Sequence, residues 1–411
     1  MGGDMTSFDL EFVRSQFPAF SSPELAGQAF FENAGGSYMC QQVIDRFDRY
    51  FTHRKVQPYG FFAASIEAGE EMDSATRRMA RYLNVNEDEV MFGPSTSQNT
   101  YVLAQAFLKK MQPGDAVIIS QQEHEANTGA WHRLAEHGMD VRVWPIDPDS
   151  GRLSLDTLRP LLDEKVHFVA MTHCSNVVAE INPVRDVADL VHAAGAVLLV
   201  DGVSYCPHGL PDVDALGADI YLFSTYKTYG PHQGVMVVRQ SARDRLAPQA
   251  HYFNHDIMSK WMVPAGPDHA QIAASNGILD YFDALDAHHS GADDTGRPRR
   301  IEHMCRAAEK ANLKPMLDYL SGRNDIRLIG PDDPELRAPT VAFTSNRLGA
   351  EEIARSLAQH GVMAGAGDFY AVRVLEGVGI SPADGVVRLS FVHYTSREEI
   401  DQTLKALDAV L

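Results

Sequence analysis

What most constrains this chain is a series of short apolar runs set far enough apart for a helix to fit between them. They are EVMF from Glu89, AVIIS from Ala116, VRVW from Val141, HFVAM from His167, VLLV from Val197, DIYLF from Asp219 and GVMVV from Gly234. Most lack the polar alternation of a strand with one wet face, so they are expected as strands covered by helices on both sides. This predicts an α/β large domain around a mainly parallel, seven-stranded sheet, spanning residues 31–290. The intervening stretches TLRPLLDEK and VRDVADLVHAAG space their apolar residues helically, and the second closes on Gly195.

The rhythm changes at HHSGADDTGRPRR, near residues 290–300, a polar segment expected to join two domains. Beyond it, IEHMCRAAEKANLKPMLDYL reads as a long helix with a break or kink at Pro315, followed by strands IRLI and TVAF, helix EEIARSLAQHG and strand VVRLSFV. A last helix opens with Ser396 and Glu399 in capping-box spacing and carries Ile400, Leu404, Leu407 and Leu411 on one face. A small α+β domain is therefore predicted over 291–411, with residues 1–30 as an N-terminal segment packing on it. At 411 residues and 45% hydrophobic, the chain can fill both cores.

Composition narrows the possible partners. Asp and Glu outnumber Lys and Arg by 55 to 36, and the formal net charge of −19 opposes binding to phosphate backbones and anionic lipid. Nucleic acid and membrane are not expected partners. Cys40, Cys174, Cys206 and Cys305 are scattered without C-x-x-C spacing, and no H-E-x-x-H occurs, so neither a metal site nor a disulfide framework is expected. The opening MGGDMTSFDLEF has neither a basic stretch nor an apolar run, and a cytoplasmic location is the expectation.

Chemistry gathers where the apolar runs end. Lys227, in STYKTYG after DIYLF, stands at a strand terminus, where ligands of α/β sheets collect and where a lysine of lowered pKa can form a Schiff base. Asp201 ends VLLVD, 26 residues earlier and about one βαβ unit away. A carboxylate there suits the pyridine nitrogen of pyridoxal 5′-phosphate (PLP), which it keeps protonated. GPSTSQNT places Ser95, Thr96 and Ser97 at a helix start, where backbone N–H groups and hydroxyls meet a phosphate. His124, after AVIIS, can stack on a cofactor ring, and Asn176, after HFVAM, can reach its phenolic oxygen. Taken singly, each has a plainer role as a surface lysine, a helix cap or a turn residue. Together they follow successive strands and supply different parts of one site.

This ordered set resembles the class V aminotransferase and cysteine desulfurase branch of fold type I PLP enzymes, from FFENAGGS at Phe30 to the C-terminus. EHEAN, THCSNV, VDGVS and FSTYKTYGPHQG carry the likeness, and GDFYA from Gly367 with VRLSFVHYTSREEID from Val387 is similar to the cysteine desulfurase-like group. The resemblance implies that Lys227 bears the cofactor and shuttles protons, Asp201 pairs the ring nitrogen, His124 stacks on the ring, and Asn176 meets its phenolic oxygen. It implies phosphate contacts from Thr96, Ser97, Ser224 and Tyr226, a substrate carboxylate on Arg388, and a homodimer with sites at the interface. Asp368, Tyr370 and Arg373 are expected on the substrate side.

Departures from the family pattern shape the expected reaction. GVMAGAGDFYAVR holds no cysteine where group II desulfurases carry their thiol, Ser204 replaces the usual glutamine, Tyr226 the usual histidine, and Ala270 a threonine that serves a neighbouring subunit. The expected activity is thus aminotransfer or β-lysis on a small amino acid. The alternatives are desulfuration by a non-standard route and a catalytically silent PLP-fold binding protein. A nicotinamide dehydrogenase is disfavoured because GPSTSQ is not G-x-G-x-x-G.

Overall fold

The structure, a computed structural model, describes residues 8–291 and 293–411. The first seven residues of the N-terminal segment and Ala292 of the predicted interdomain loop lie outside them. A seven-stranded sheet runs through the larger part in the order Val90–Gly93, Gly234–Val238, Ile220–Ser224, Val197–Asp201, Val166–Thr172, Ala116–Ser120, Asp140–Trp144. Only Gly234–Val238 runs against the others. Every residue of Ala116–Ser120, Val197–Asp201, Ile220–Ser224 and Gly234–Val238 is buried, which is why their sequences show no polar alternation. Asp140–Trp144 forms one edge and is mostly uncovered.

Alternate side chains of these strands enter two cores. Val117, Ile119, Phe168, Leu199 and Leu222 pack with Phe107 and Trp131 on one face. Ile118, Val169, Leu198, Val200, Tyr221 and Phe223 pack on the other with apolar residues of helices Ala63–Leu83, Val184–Ala193 and His269–His289. Each such large side chain contributes roughly 1.5–3 kcal/mol when taken from water. Parallel pairing brings the carboxyl ends at Ser120, Thr172, Asp201 and Ser224 to one edge, and the antiparallel register sets Gly234 beside both Gly93 and Ser224. The predicted chemistry lies on that edge.

TLRPLLDEK holds only the end of a short helix, Leu155–Leu158, and a 3₁₀ turn, Arg159–Leu161, because Pro160 interrupts the pattern. After residue 296 the helix Arg297–Ser321 begins and passes through Pro315 without ending. Leu313, Met316, Leu317 and Leu320 are buried in the smaller core on either side of the proline, and this packing outweighs the lost backbone bond. A four-stranded antiparallel sheet, Gly365–Gly367, Val386–Ser390, Thr340–Ser345, Ile326–Ile329, lies against that helix and helices Ala350–Gln359 and Arg397–Val410. Ser396 and Glu399 form the capping box at the start of the last helix.

The chain before residue 31 touches both parts. Phe17 sits edge-on to Tyr229, Tyr281 and Tyr394 at centroid distances of 5.5, 5.0 and 4.9 Å, and Arg14 pairs with Glu399 at 2.8 Å. Ala29–Phe30 pairs in parallel with Val362–Met363. That pairing delivers residues 32–36 to the mouth of the site.

Candidate active site

Lys227 ends a 3₁₀ turn, Thr225–Lys227, directly after the Ile220–Ser224 strand. Thr225 locks this turn: its N–H donates to Gln233 O at 2.8 Å, and its carbonyl accepts from Thr228 N at 2.8 Å and Gly230 N at 2.9 Å. From the other side, Ser37 donates its hydroxyl to Lys227 O at 2.6 Å and its N–H to Tyr226 O at 3.1 Å. The turn thus holds the lysine backbone while the amine lines a cavity. Burial, aided by the nearby Arg388 charge and opposed by Asp201 and Glu32, pulls Lys227 down to about 8. An amine so placed is partly neutral near neutral pH and can act as a nucleophile or base.

The cavity brings Ser95, Thr96, Ser97, His124, Asn176, Asp201, Ser204, Ser224, Tyr226 and Lys227 together. Asp201 Oδ1 accepts Val203 N–H at 2.8 Å, and burial pushes its carboxyl up to about 6 against that bond and the Lys227 charge. Such a group gains from a cation held beside it.

At the other end, Ser95 caps helix Thr96–Leu108 by accepting Gln98 N–H, and Thr96 Oγ1 lies 2.8 Å from Ser224 Oγ. A Cβ on Gly234 would fall 2.5 Å from Ser95 C and 2.8 Å from Thr96 N, so only glycine allows the strand to approach this helix start so closely.

His124 is partly buried, its Nδ1 accepts Ala126 N–H at 3.0 Å, and burial with the charges of Lys227 and Arg388 lowers it to about 3. It therefore presents a neutral ring to the cavity. Asn176 donates its amide to Phe369 O at 2.9 Å, while its Oδ1 is buried without a partner.

A wider cleft continues outward past Lys227, His124 and Asn176 to Glu32, Tyr101, Phe369, Tyr370 and Arg388. Arg388 is 3% exposed; Phe369 covers one face of its guanidinium at 3.7 Å, and Glu32 Oε1 accepts from its Nη2 at 2.6 Å. Burial lowers its pKa, with Glu32 opposing.

Two residues expected on the substrate side line neither cavity. Asp368 turns back to accept Tyr370 N–H at 2.8 Å, and Arg373 pairs with Glu125. Between them Phe369 and Tyr370 have φ of +51° and +57°, left-handed conformations rare away from glycine. The sequence reading also gave no role to Glu32, Phe369 or His232, which stacks on Tyr226 at 4.8 Å. GPHQG after the lysine carried a signal for His232, whereas Glu32 and Phe369 reach the site only through long-range pairing.

The fold is shared with solved cysteine desulfurases. CsdA from Escherichia coli superposes with a TM-score of 0.82 over 98% of this chain and 99% of its own at 22% identity. The apo enzyme from Thermococcus onnurineus NA1 gives 0.84 over 100% and 99% at 21%. At these identities the likeness is one of fold.

The chain belongs to the family described as Aminotransferase class-V, whose model matches residues 29–296 and 298–403. Aminotransferase-like protein FGM3 of Gibberella zeae is 34% identical over 99% of this chain and 99% of its own length. Cysteine desulfurase-like protein ustD of Aspergillus flavus is 31% identical over 98% and 91%, and a cysteine desulfurase of Serratia proteamaculans 29% over 98% and 98%. Enzymes of this family depend on PLP, and this chain is one of them. Among the described residues, no helix is long and apolar enough to cross a membrane.

Proposed function

We propose that this protein binds PLP through Lys227 and uses it to remove the Cα proton of a small amino acid, leading to aminotransfer or β-lysis. The observation that carries this reading is a buried lysine, pulled to about 8, sharing one cavity with a buried carboxylate that lacks a permanent cation other than that lysine. The remaining surroundings fit the same group. The Ser95–Thr96–Ser97 helix start with Ser224 supplies phosphate donors, Asn176 Oδ1 is an unpartnered buried acceptor, and His124 offers a neutral ring face. PLP, when bound, supplies an electron sink for negative charge at Cα.

In this reading Asp201 keeps a proton on the ring nitrogen, and Lys227 takes the Cα proton and returns it. Arg388 orients the substrate through its α-carboxylate, and Phe369 stacked on the guanidinium limits water there. Ser204 lines the same cavity as Asp201, and Tyr226 lines it beside the lysine.

Thiolate-based desulfuration is disfavoured. All four cysteines are buried, and burial pushes Cys40 and Cys174 up to about 12 and Cys206 and Cys305 well above the usual thiol range. Cys174 lines the cavity yet points its thiol at Ala179 O, 3.4 Å away. A homodimer is part of the proposal.

The test is product analysis from PLP-loaded protein given single amino acids. Keto acid with stoichiometric amino transfer supports aminotransfer, and keto acid with free ammonia and the released β-substituent, which is sulfide when cysteine is the substrate, supports β-lysis. Alanine with protein-bound persulfide from cysteine would restore desulfuration, and no spectral response to any amino acid would favour a silent binding protein.

A further inference from the structure

We propose that Glu32 is an internal competitor for the substrate carboxylate: it occupies Arg388 in the substrate-free site and must leave before an amino acid can take that guanidinium. This rests on the reading of Arg388 as the carboxylate anchor.

The arrangement around the pair is specific. Glu32 reaches Arg388 through one oxygen only, at Nη2, 2.6 Å away. Its other oxygen, Oε2, and Arg388 Nε are both buried without a partner. Nη1 reaches only Asn176 O, at 3.3 Å. With Phe369 on one face of the guanidinium, an incoming carboxylate must approach an edge, and Nη2 belongs to both forks by which a guanidinium grips a carboxylate. Glu32 stands on that shared donor.

The chain also makes room for this carboxylate. A Cβ on Gly35 would lie 2.7 Å from Glu32 Oε1, and one on Gly365 would lie 2.4 Å from Oε2. Glycines on two separate segments therefore flank the glutamate. Gly365 pairs in register with Arg388 itself, so that side of the cradle belongs to the arginine's own sheet, while Gly35 ends the 3₁₀ turn Asn33–Gly35.

A second carboxylate held beside Glu32 would meet a like charge at close range on a guanidinium that is itself buried. Substrate binding is then an exchange of one carboxylate for another, and Glu32 lowers the affinity for every carboxylate-bearing ligand. Removing its charge leaves Arg388 buried and unpaired, which weakens the protein but strengthens the pull on an external carboxylate.

The experiment uses the PLP-loaded protein with propionate, which cannot be turned over, and with propionamide as its uncharged counterpart. Binding is read by ligand-detected NMR and by the rise in melting temperature. E32Q is expected to bind propionate about tenfold more tightly than wild type, with a larger thermal shift on adding it, and to leave propionamide unaffected. A merely structural role for Glu32 would not produce this gain. E32D, whose shorter side chain withdraws from Nη2, is expected to move the same way and serves if E32Q does not fold. If R388K weakens propionate binding while both Glu32 variants bind it as wild type does, the competitor role is overturned and the anchor stands. If R388K binds propionate as wild type does, the anchor reading fails and this proposal with it.

Discussion

Thr96 Oγ1 and Ser224 Oγ lie 2.8 Å apart, tying the start of a helix to the end of the strand that leads into Lys227. The lysine and the helix N-terminus are thereby held in one frame, which depends on the close passage of Gly234.

Gly234→Ala tests that frame. The added methyl would meet backbone atoms of Ser95 and Thr96, which cannot rotate away. The expected result is a weaker PLP affinity, by about tenfold or more, since a helix start moved by even a fraction of an ångström loses aligned N–H donors. Absorbance titration with PLP checks this, and an unchanged affinity would mean that the phosphate lies elsewhere.

Asp201→Asn removes a charge while preserving size and an acceptor for Val203 N–H. Turnover is expected to fall by about a hundredfold or more, in keeping with the loss of one buried electrostatic contact in an active site. Melting temperature should change little. Steady-state rates on the best amino acid substrate decide the matter, and a loss under fivefold would remove Asp201 from its assigned place.

PLP uptake should follow the protonation of Lys227. Because burial lowers this amine to about 8, the neutral nucleophile increases as pH rises through 8 and saturates soon above it. An ordinary lysine would still be gaining neutral form near pH 10. Stopped-flow absorbance at fixed PLP across pH 6.5–10 reads the midpoint, and a rate still climbing steeply at pH 10 contradicts the assignment.

Acid should destabilise the fold through His173 and His393. His173 stacks on Tyr205 at 3.7 Å, His393 lies 2.5 Å from Tyr281 OH, and burial lowers both to about 3. Between about 3 and 6.5 the unfolded chain takes protons that the native state refuses, so stability falls as pH falls. The slope reaches about 1.4 kcal/mol per pH unit for each histidine. Urea midpoints at pH 7.5 and 5 should differ accordingly, with H393Q narrowing the gap. Equal narrowing by no variant at either histidine would assign the acid loss to other groups.

Much of this was legible in the sequence because burial on both faces leaves a plain mark. AVIIS and GVMVV are strands over the same residues that the apolar runs predict, and the cavity residues Ser95, Asp201 and Lys227 follow such runs directly. Asp140–Trp144 is an edge, a position its own sequence does not state.

Glu32 was invisible as a site residue because it arrives by the pairing of Ala29–Phe30 with Val362–Met363, a contact across more than three hundred positions. Asp368 and Arg373 were expected on the substrate side together with Tyr370. Two successive left-handed residues lie between them, and no local pattern reveals the need of such residues for tertiary support.

The most direct test of the central claim is borohydride reduction of the PLP-loaded protein followed by peptide mapping. One phosphopyridoxyl group is expected, on Lys227, and none at a defined position in Lys227→Ala. A label on another lysine in the wild type, or the same labelled peptide count in the variant, would contradict it.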